Sequence, residues 1–493
     1  MVGKEANPGD IEHLENAEHM ASISGNIGPE KAKTDNDNYN PALDVEPGKL
    51  TENDTTYDPV FGEVSGDGPN YRSVGWLGTV ALMMKTQIGL GVLSIPAVFD
   101  KVGVVPGVIL LFVVAGIATW TSYMVGIFKL NHREVYGMDD AGGLMFGRVG
   151  REVFGLAFSL YWIFVAGSGI LGLSIGLNAV SSHGTCTAVF VVVAALAGFV
   201  FASIRTLGRI SWIAWIGLGC IVTSVLVVTI AVGIQGGPAT APPGWSSDYK
   251  IVNHPSFAEG VSAVSTLIFA CSATPAYFSL AAEMRDPRYF TRALVVSQIG
   301  STLLYLVIGV VVYYYCGTMV ASPALGSAGA LIKRVAYGLS LPGLIATTTI
   351  VIHLPSKYFF VRILRGSAHL TSNSLIHWTT WLGCTFSCTV VAYVIASGIP
   401  VFNDLVSLVG ALLGAFLAYQ PTGCMWFYDN WHRRKSTDRP WLWMLMAAWA
   451  GFIILAGSFM TVAGTYGSIV GIMKSLSSGG GSRPWTCEDN SNS

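Results

Sequence analysis

The sequence predicts an all-α polytopic membrane protein with eleven transmembrane helices, and three observations carry that reading. Charged residues make up 12% of the 493 and hydrophobic residues 52%. A soluble domain carries about 25% charge, and a chain this apolar has too little polar surface to cover a globule of its size. Seven long windows hold no Asp, Glu, Lys or Arg: 153–204, 210–247, 293–332, 335–356, 366–403, 405–428 and 440–473. Finally, breaks marked by Gly and Pro fall in the first and sixth apolar segments, the spacing expected of a 5+5 inverted repeat with one extra helix. The same arithmetic excludes most water-soluble enzymes and any nucleic-acid binder built on a basic surface. The expected partner is the lipid bilayer. No nucleic acid is expected, and protein partners are not specified.

Residues 1–73 hold 15 acids and 5 bases, whereas the other 420 hold 14 acids and 23 bases. This opening stretch lacks an apolar period and the charged start and apolar core of a signal peptide. It reads as a disordered acidic tail. Dividing the body at polar, Gly and Pro breaks gives spans at roughly 76–98, 103–128, 153–180, 185–204, 211–234, 258–282, 293–316, 339–360, 376–397, 403–427 and 441–472. A bilayer core about 30 Å thick takes roughly 20 residues of helix. Helices satisfy their own backbone there, and the continuous apolar runs do not alternate as barrel strands do. Eleven spans put the termini on opposite sides. With the N-terminus in the cytosol, 21 Lys and Arg fall on the cytosolic side and 6 on the other, so the positive-inside rule selects that orientation. The domains are then a cytosolic tail (1–73), a transmembrane body (74–473) and a short non-cytosolic tail (474–493). The glycosylation pattern Asn53-Asp-Thr55 falls in the cytosol, where it would be unused.

In the first span, Lys85-Thr86-Gln87-Ile88-Gly89-Leu90-Gly91 runs to Pro96. Gly costs about 1 kcal/mol against Ala in a helix and Pro about 3, so the cluster marks an unwound point. In the sixth span, Phe269-Ala270-Cys271-Ser272-Ala-Thr274-Pro275 carries the second break, since Pro275 cannot donate to the ladder. Half-helix ends offer free N–H donors to an anionic group and free carbonyls to a cation. An amino acid needs both. Thr86, Gln87, Ile88, Gly89, Leu90, Gly91, Phe269, Ala270, Cys271, Ser272 and Thr274 are therefore the candidate substrate-binding residues. Phe269 reads as a lid or as packing. Ser168, near the middle of a third span that also holds Tyr161 and Gly167, Gly169, Gly172 and Gly176, either lines the pocket or packs.

These stretches, with Glu283-Met284-Arg-Asp286-Pro287 after span six and the Gly-rich loop Gly142-Gly-Leu-Met-Phe-Gly147-Arg148-Val-Gly150-Arg151 before span three, resemble the amino acid/auxin permease family of secondary transporters. The resemblance covers about residues 73–472. Within the family, the chain looks like fungal neutral amino-acid permeases of the methyltryptophan-resistance type. That likeness implies the leucine-transporter-like fold and uptake of neutral aliphatic and aromatic L-amino acids by proton symport. It also implies a plasma-membrane location and no cofactor beyond the proton gradient. A vacuolar exporter of the same family and a non-transporting amino-acid sensor are the alternatives. An enzyme is not expected, because no His/Glu/Asp cluster lies within the spans.

Many relatives place Asn or another small polar residue before the first Gly-x-Gly, and some hold sodium with it. This chain has Lys85 there, nine residues after Trp76, about 13 Å along the helix. An ionisable group at that depth is a functional candidate by default. In the related fold this turn faces span eight around a cation, and span eight here offers Thr347-Thr348-Thr349. The Lys85 ammonium, with Thr348 and Thr349, is placed at that cation site. It acts there either as a proton carrier, since burial disfavours its charge, or as a fixed tethered cation. His353 reads as a core histidine or a relay. Glu259, Asp404 and Glu283 read as interfacial or gating groups, with Glu283 paired to Arg285 or Arg288 as a cytosolic gate. The eight Cys fit neither a metal site nor a disulfide scaffold. The topology leaves Cys186 and Cys316 near the outer surface as the candidate bridge.

Overall fold

A computed structural model describes residues 56–58, 62–64, 72–238, 241–242, 244–370, 372–399, 401–432, 440–477 and 485–491. All of them belong to one compact unit, Leu50–Ser493. Two short strands, β1 (Thr56–Asp58) and β2 (Gly62–Val64), pair antiparallel within the segment read as tail. The rest of that segment up to residue 71, with Asn53–Thr55, lies outside the described residues.

The body is helical. Among the described residues, ten helices are long and apolar enough to cross a membrane. In chain order the elements are α1 (Trp76–Val102), α2 (Val104–Asn131), α3 (Met138–Ser181), the shorter apolar α4 (Thr187–Ala202), α5 (Leu207–Gln235), α6 (Phe257–Ala282), α7 (Phe290–Cys316), α8 (Ala330–Leu364), α9 (Leu375–Gly398), α10 (Phe402–Asn430) and α11 (Pro440–Ser475). Each falls on one of the eleven apolar windows. α4 spans 16 residues, about 24 Å of helix.

Local signals set several boundaries. Ser256 caps α6 in a capping box, accepting from the Glu259 N–H while the Glu259 carboxylate accepts from the Ser256 N–H. Ser374 caps α9 through the His377 N–H. α3 begins well before residue 153, which corrects the expected Gly-rich loop. Its 44 residues include Gly147 at φ 66°, a conformation that L side chains rarely adopt. The chain kinks there and brings Gly142 against Gly150. A Cβ on either would stand within 2.6 Å of the other's carbonyl oxygen. The glycines make a helical elbow rather than a loop.

α8 lies at the centre and packs most extensively on α5 and α3. α6 is almost wholly enclosed, with 89% of its apolar window buried, whereas α11 is peripheral at 22%. The outward faces carry large apolar side chains such as Trp212, Ile234, Leu455 and Val462, as a lipid-facing surface requires.

The molecule has two ends. One carries a disulfide and the turns after α1, α3, α5, α7 and α9. The other, the arginine end, carries Arg205, Arg285, Arg288, Arg362 and Arg365.

Candidate functional site

α1 does not run straight. Its first half ends at Ile88. Gly91–Ser94 then forms a single 3-10 turn, and the helix resumes over Ile95–Val102. Close approach dictates the glycines. A Cβ on Gly89 would stand 2.2 Å from Thr347 Oγ1, and one on Gly91 2.6 Å from the Ala270 Cα. α6 breaks opposite. Its first half stops at Cys271, Ser272 takes φ −104° and ψ 73°, and a 3-10 turn over Thr274–Ala276 leads into Tyr277–Ala282. The Gly91–Ala270 contact joins the two breaks. Every residue from Gly89 to Pro96 and from Cys271 to Met284 is buried.

Side chains from other helices meet the freed carbonyls of α6. The Tyr305 hydroxyl of α7 donates to the Ala270 carbonyl at 3.0 Å, and Tyr161 of α3 donates to that of Ser272 at 3.3 Å. Gln87 Nε2 donates to the Cys271 carbonyl at 3.3 Å and to the Tyr277 hydroxyl at 2.9 Å. The Tyr419 hydroxyl of α10 faces the Ser272 side chain without reaching hydrogen-bond geometry. Tyrosines from α3, α6, α7 and α10 thus surround the α6 break. Sequence reading missed three of them, Tyr277, Tyr305 and Tyr419, because an aromatic in an apolar helix looks like packing.

This region also holds unsatisfied polar atoms. Among the described residues, Gln87 Oε1, Ser272 Oγ and the Tyr419 hydroxyl are buried without a hydrogen-bond partner, as is Trp162 Nε1 beside Tyr161. Each such group costs about 1–3 kcal/mol when left without a partner, so a cluster of them suits a polar ligand.

The predicted site residues divide. Gln87, Gly89, Leu90, Gly91, Ala270, Cys271 and Ser272 come together at the breaks, next to buried Ile88. Thr86 is half-buried and donates to the Met83 carbonyl of its own helix at 2.8 Å. Ser168 bonds back to Phe164 at 3.3 Å. Thr274 ties the break to α2 through Thr121 and Ser122, at 3.3 and 3.0 Å. Phe269 packs its Cβ against Gly410, at the start of a π-helical turn, Gly410–Gly414. Such turns recur at functional sites.

Lys85 is fully buried, and its Nζ has no hydrogen-bond partner among the described residues. A Cβ on Gly217 would stand 3.1 Å from Lys85 Cε and 2.4 Å from the Ala346 Cβ. Cys220 of α5 lies nearby. The side chain therefore sits where α1, α5 and α8 meet. Thr347 meets Gly89, while Thr348 packs on Gly169 and Gly198. The hydroxyls of Thr347, Thr348 and Thr349 donate to the carbonyls of Gly343, Leu344 and Ile345. His353 is buried with its ring 5.2 Å from that of Trp381, beside the backbone of Ala202 and Ile204. No group of three or more His, Cys, Asp or Glu among the described residues is placed to hold a metal ion.

At the arginine end, Glu283 does not pair with Arg285 or Arg288, which are exposed. It pairs instead with Lys357 of α8, with both side chains buried. Its second oxygen accepts from the Leu207 N–H at the start of α5, at 3.3 Å. Lys357 prevails because it lies within α8 and reaches the enclosed carboxylate, whereas the arginines face outward. The neighbouring backbone is tied as well. Val74 N–H donates to the Glu283 carbonyl at 3.2 Å, and Arg285 N–H donates to that of Val74 at 2.8 Å.

At the disulfide end, Lys101 donates to Ser262 at 3.3 Å, and Ser262, Ser407 and Ser468 form a hydroxyl chain. Glu259 meets Lys474 at 3.1 Å in an exposed pair. Asp404 is largely buried beside them, near Lys101 and Ser475. In the loop before α6, partial burial pushes the Asp248 carboxyl up. Hydrogen bonds from the Thr318 hydroxyl and N–H outweigh that and hold it below its ordinary value. The disulfide joins Cys186 to Cys487, not to Cys316, which is a free, buried thiol. Cys487 reaches Cys186 because the segment 485–491 folds back over the helix ends.

The family model for transmembrane amino acid transporter proteins matches residues 72–469, all of the helical body but the last residues of α11. The chain belongs to that family. It is 33% identical over 424 residues to the "N amino acid transport system protein" of Neurospora crassa, covering 85% of this chain and 89% of that one. It is 34% identical over 429 residues to a "Transmembrane transporter" of Gibberella moniliformis, covering 86% and 90%. Among solved structures, it is similar to a nucleobase-cation-symport-1 family transporter in a closed conformation, at TM-score 0.51 and 14% identity. That match covers 83% of this chain and 94% of the other. A Na+-coupled sialic acid symporter gives TM-score 0.51 and 14% identity, covering 83% and 91%. At such identities the likeness speaks for the fold alone, which is leucine-transporter-like. This member of the amino acid transporter family is a transporter and not an enzyme.

Proposed function

We propose that the chain is a secondary active transporter that imports neutral aliphatic and aromatic L-amino acids by proton symport, with alternating access around the breaks of α1 and α6. The observation that carries this is the pair of touching helix breaks with buried, unsatisfied polar side chains beside them. The second halves of the two broken helices open with the turns Gly91–Ser94 and Thr274–Ala276, and the positive dipole end of a half-helix suits a carboxylate. Gln87 Oε1, Ser272 Oγ and the Tyr419 hydroxyl suit an ammonium. Apart from Lys85 one turn earlier, no buried acid or base among the described residues stands at the breaks, so a neutral substrate side chain fits best.

Lys85 supplies the coupling in this reading. Its ammonium occupies the α1–α5–α8 junction, where a sodium-coupled relative would bind its ion, and passes its proton on during the cycle. Lys85→Ala is expected to abolish pH-driven accumulation while leaving exchange of internal for external amino acid. Unchanged proton coupling in that variant would remove Lys85 from the mechanism.

We count α4 as the eleventh span, giving a 5+5 inverted repeat and one added helix. The disulfide favours an oxidising compartment at its end of the molecule. The arginine end and the N-terminus then face the cytosol, in agreement with the positive-inside rule, at the plasma membrane.

The test is uptake of labelled neutral L-amino acids into proteoliposomes under an inward proton gradient or an inward sodium gradient. Accumulation with protons alone is expected. Accumulation only with sodium would overturn proton symport, and none under either would overturn the substrate assignment.

A further inference from the structure

The disulfide end carries a segment that the transport cycle described above does not use. Residues 485–491 run across four helix ends and are held along their length. The Trp485 N–H donates to the Ser397 carbonyl at 3.3 Å, and its ring meets Tyr393 edge-on at 6.0 Å. Cys487 is bonded to Cys186, and the Glu488 carbonyl accepts from Thr187 at 2.6 Å. The Asn490 carboxamide, only 1% exposed, accepts from Asn178 at 2.7 Å and donates to Ser174 at 3.3 Å. The Ser491 carbonyl accepts from Lys333 at 2.6 Å. These partners lie on α3, α8 and α9 and at the start of α4.

We infer that this C-terminal segment is a clamp that positions α3 against α8, with Asn490 as its positioning residue. Two consecutive residues make the bridge, Asn490 to α3 and Ser491 to α8. The seam they span is built largely from small residues, with Gly169 on Thr348 and Gly176 on Leu341 and Tyr337. Contacts of that kind allow close approach but few of them are directional. The clamp supplies directional ties, and the disulfide keeps the segment in place. α3 carries Tyr161, which donates to the Ser272 carbonyl at the α6 break, so a shift of α3 alters the substrate site. The consequence for transport rests on the transporter reading. The clamp itself does not.

The experiment compares the full-length wild type, Asn490→Ala, which keeps the disulfide, and the double variant Cys186→Ser with Cys487→Ser. Each is assayed for melting temperature and for uptake kinetics at a temperature where all are folded. Asn490→Ala is expected to raise KM about threefold or more, since small misplacements of a site are costly. A purely stabilising role would leave KM unchanged, and unchanged KM in both variants overturns the proposal. A membrane-impermeant reductant is expected to lower the wild-type melting temperature by roughly 5 °C or more and to leave the double variant unaltered. If the wild type moves no amino acid, the transport reading fails, and the clamp is judged on melting alone. Equal melting of wild type, reduced wild type and both variants then overturns it.

Discussion

The two ends of the molecule are closed by different means. The arginine end is closed by an ion pair sealed from solvent, Glu283–Lys357, backed by the Leu207 N–H and by backbone bonds between Val74 and residues 283–285. It links α5, α6, α8 and the entry to α1. The disulfide end of the same broken helices is held by backbone bonds between residues 102–105 and 250–253, by the Lys101–Ser262 hydrogen bond and the serine hydroxyl chain, and by an exposed pair, Glu259–Lys474, whose side chains are 45% and 76% exposed. Breaking a buried pair leaves an uncompensated charge, whereas an exposed pair is worth little. Of the two ion pairs, the sealed one is therefore the costlier to break.

The largest effect is expected at the point both ends share. Gly91→Val drives a side chain into the Ala270 backbone and should reduce uptake by about 100-fold or more, with the variant still reaching the membrane. Uptake near wild type would mean that the breaks need not touch. Next come the seals. Glu283→Gln or Lys357→Met alone should destabilise the purified protein by about 3–5 kcal/mol, and the double variant should recover most of that. Additive losses would show that the two groups do not depend on one another. At the other end, Glu259→Gln should cost less than about 1 kcal/mol and leave uptake within about twofold, as read by melting and transport side by side.

The smallest effect belongs to Asp248. Its carboxyl is held below its ordinary value of 3.8, so the folded state favours the ionised form. Its contribution is present above that value and is lost as the pH falls through the lower folded value. Asp248→Asn should therefore lose a little stability at neutral pH, and its melting should match the wild type in strong acid. A difference that persisted in acid would contradict the assignment.

The spans were legible because charge-free windows are long, and the breaks because Gly and Pro mark them. Lys85 stood out as a charge in an apolar run. Other features carried no such signal. Lys357 counts as a loop base in a positive-inside tally, yet it lies inside α8, one turn beyond His353. Glu283 lies 74 residues away, and only the fold brings the two together. The bridge to Cys487 spans 301 residues and leaves no local pattern. The π-helical turns at Gly410–Gly414 and Met460–Gly464 lie where α6, α10 and α11 pack together, a tertiary feature with no local sequence mark.

The central claim is that substrate is held between the two helix breaks. Binding of a labelled neutral L-amino acid to purified protein tests it most directly, with the wild type set beside Gln87→Met. Saturable binding to the wild type and its loss in Gln87→Met, at unchanged melting temperature, is the predicted result. Equal binding by both proteins would contradict the account and place the substrate elsewhere.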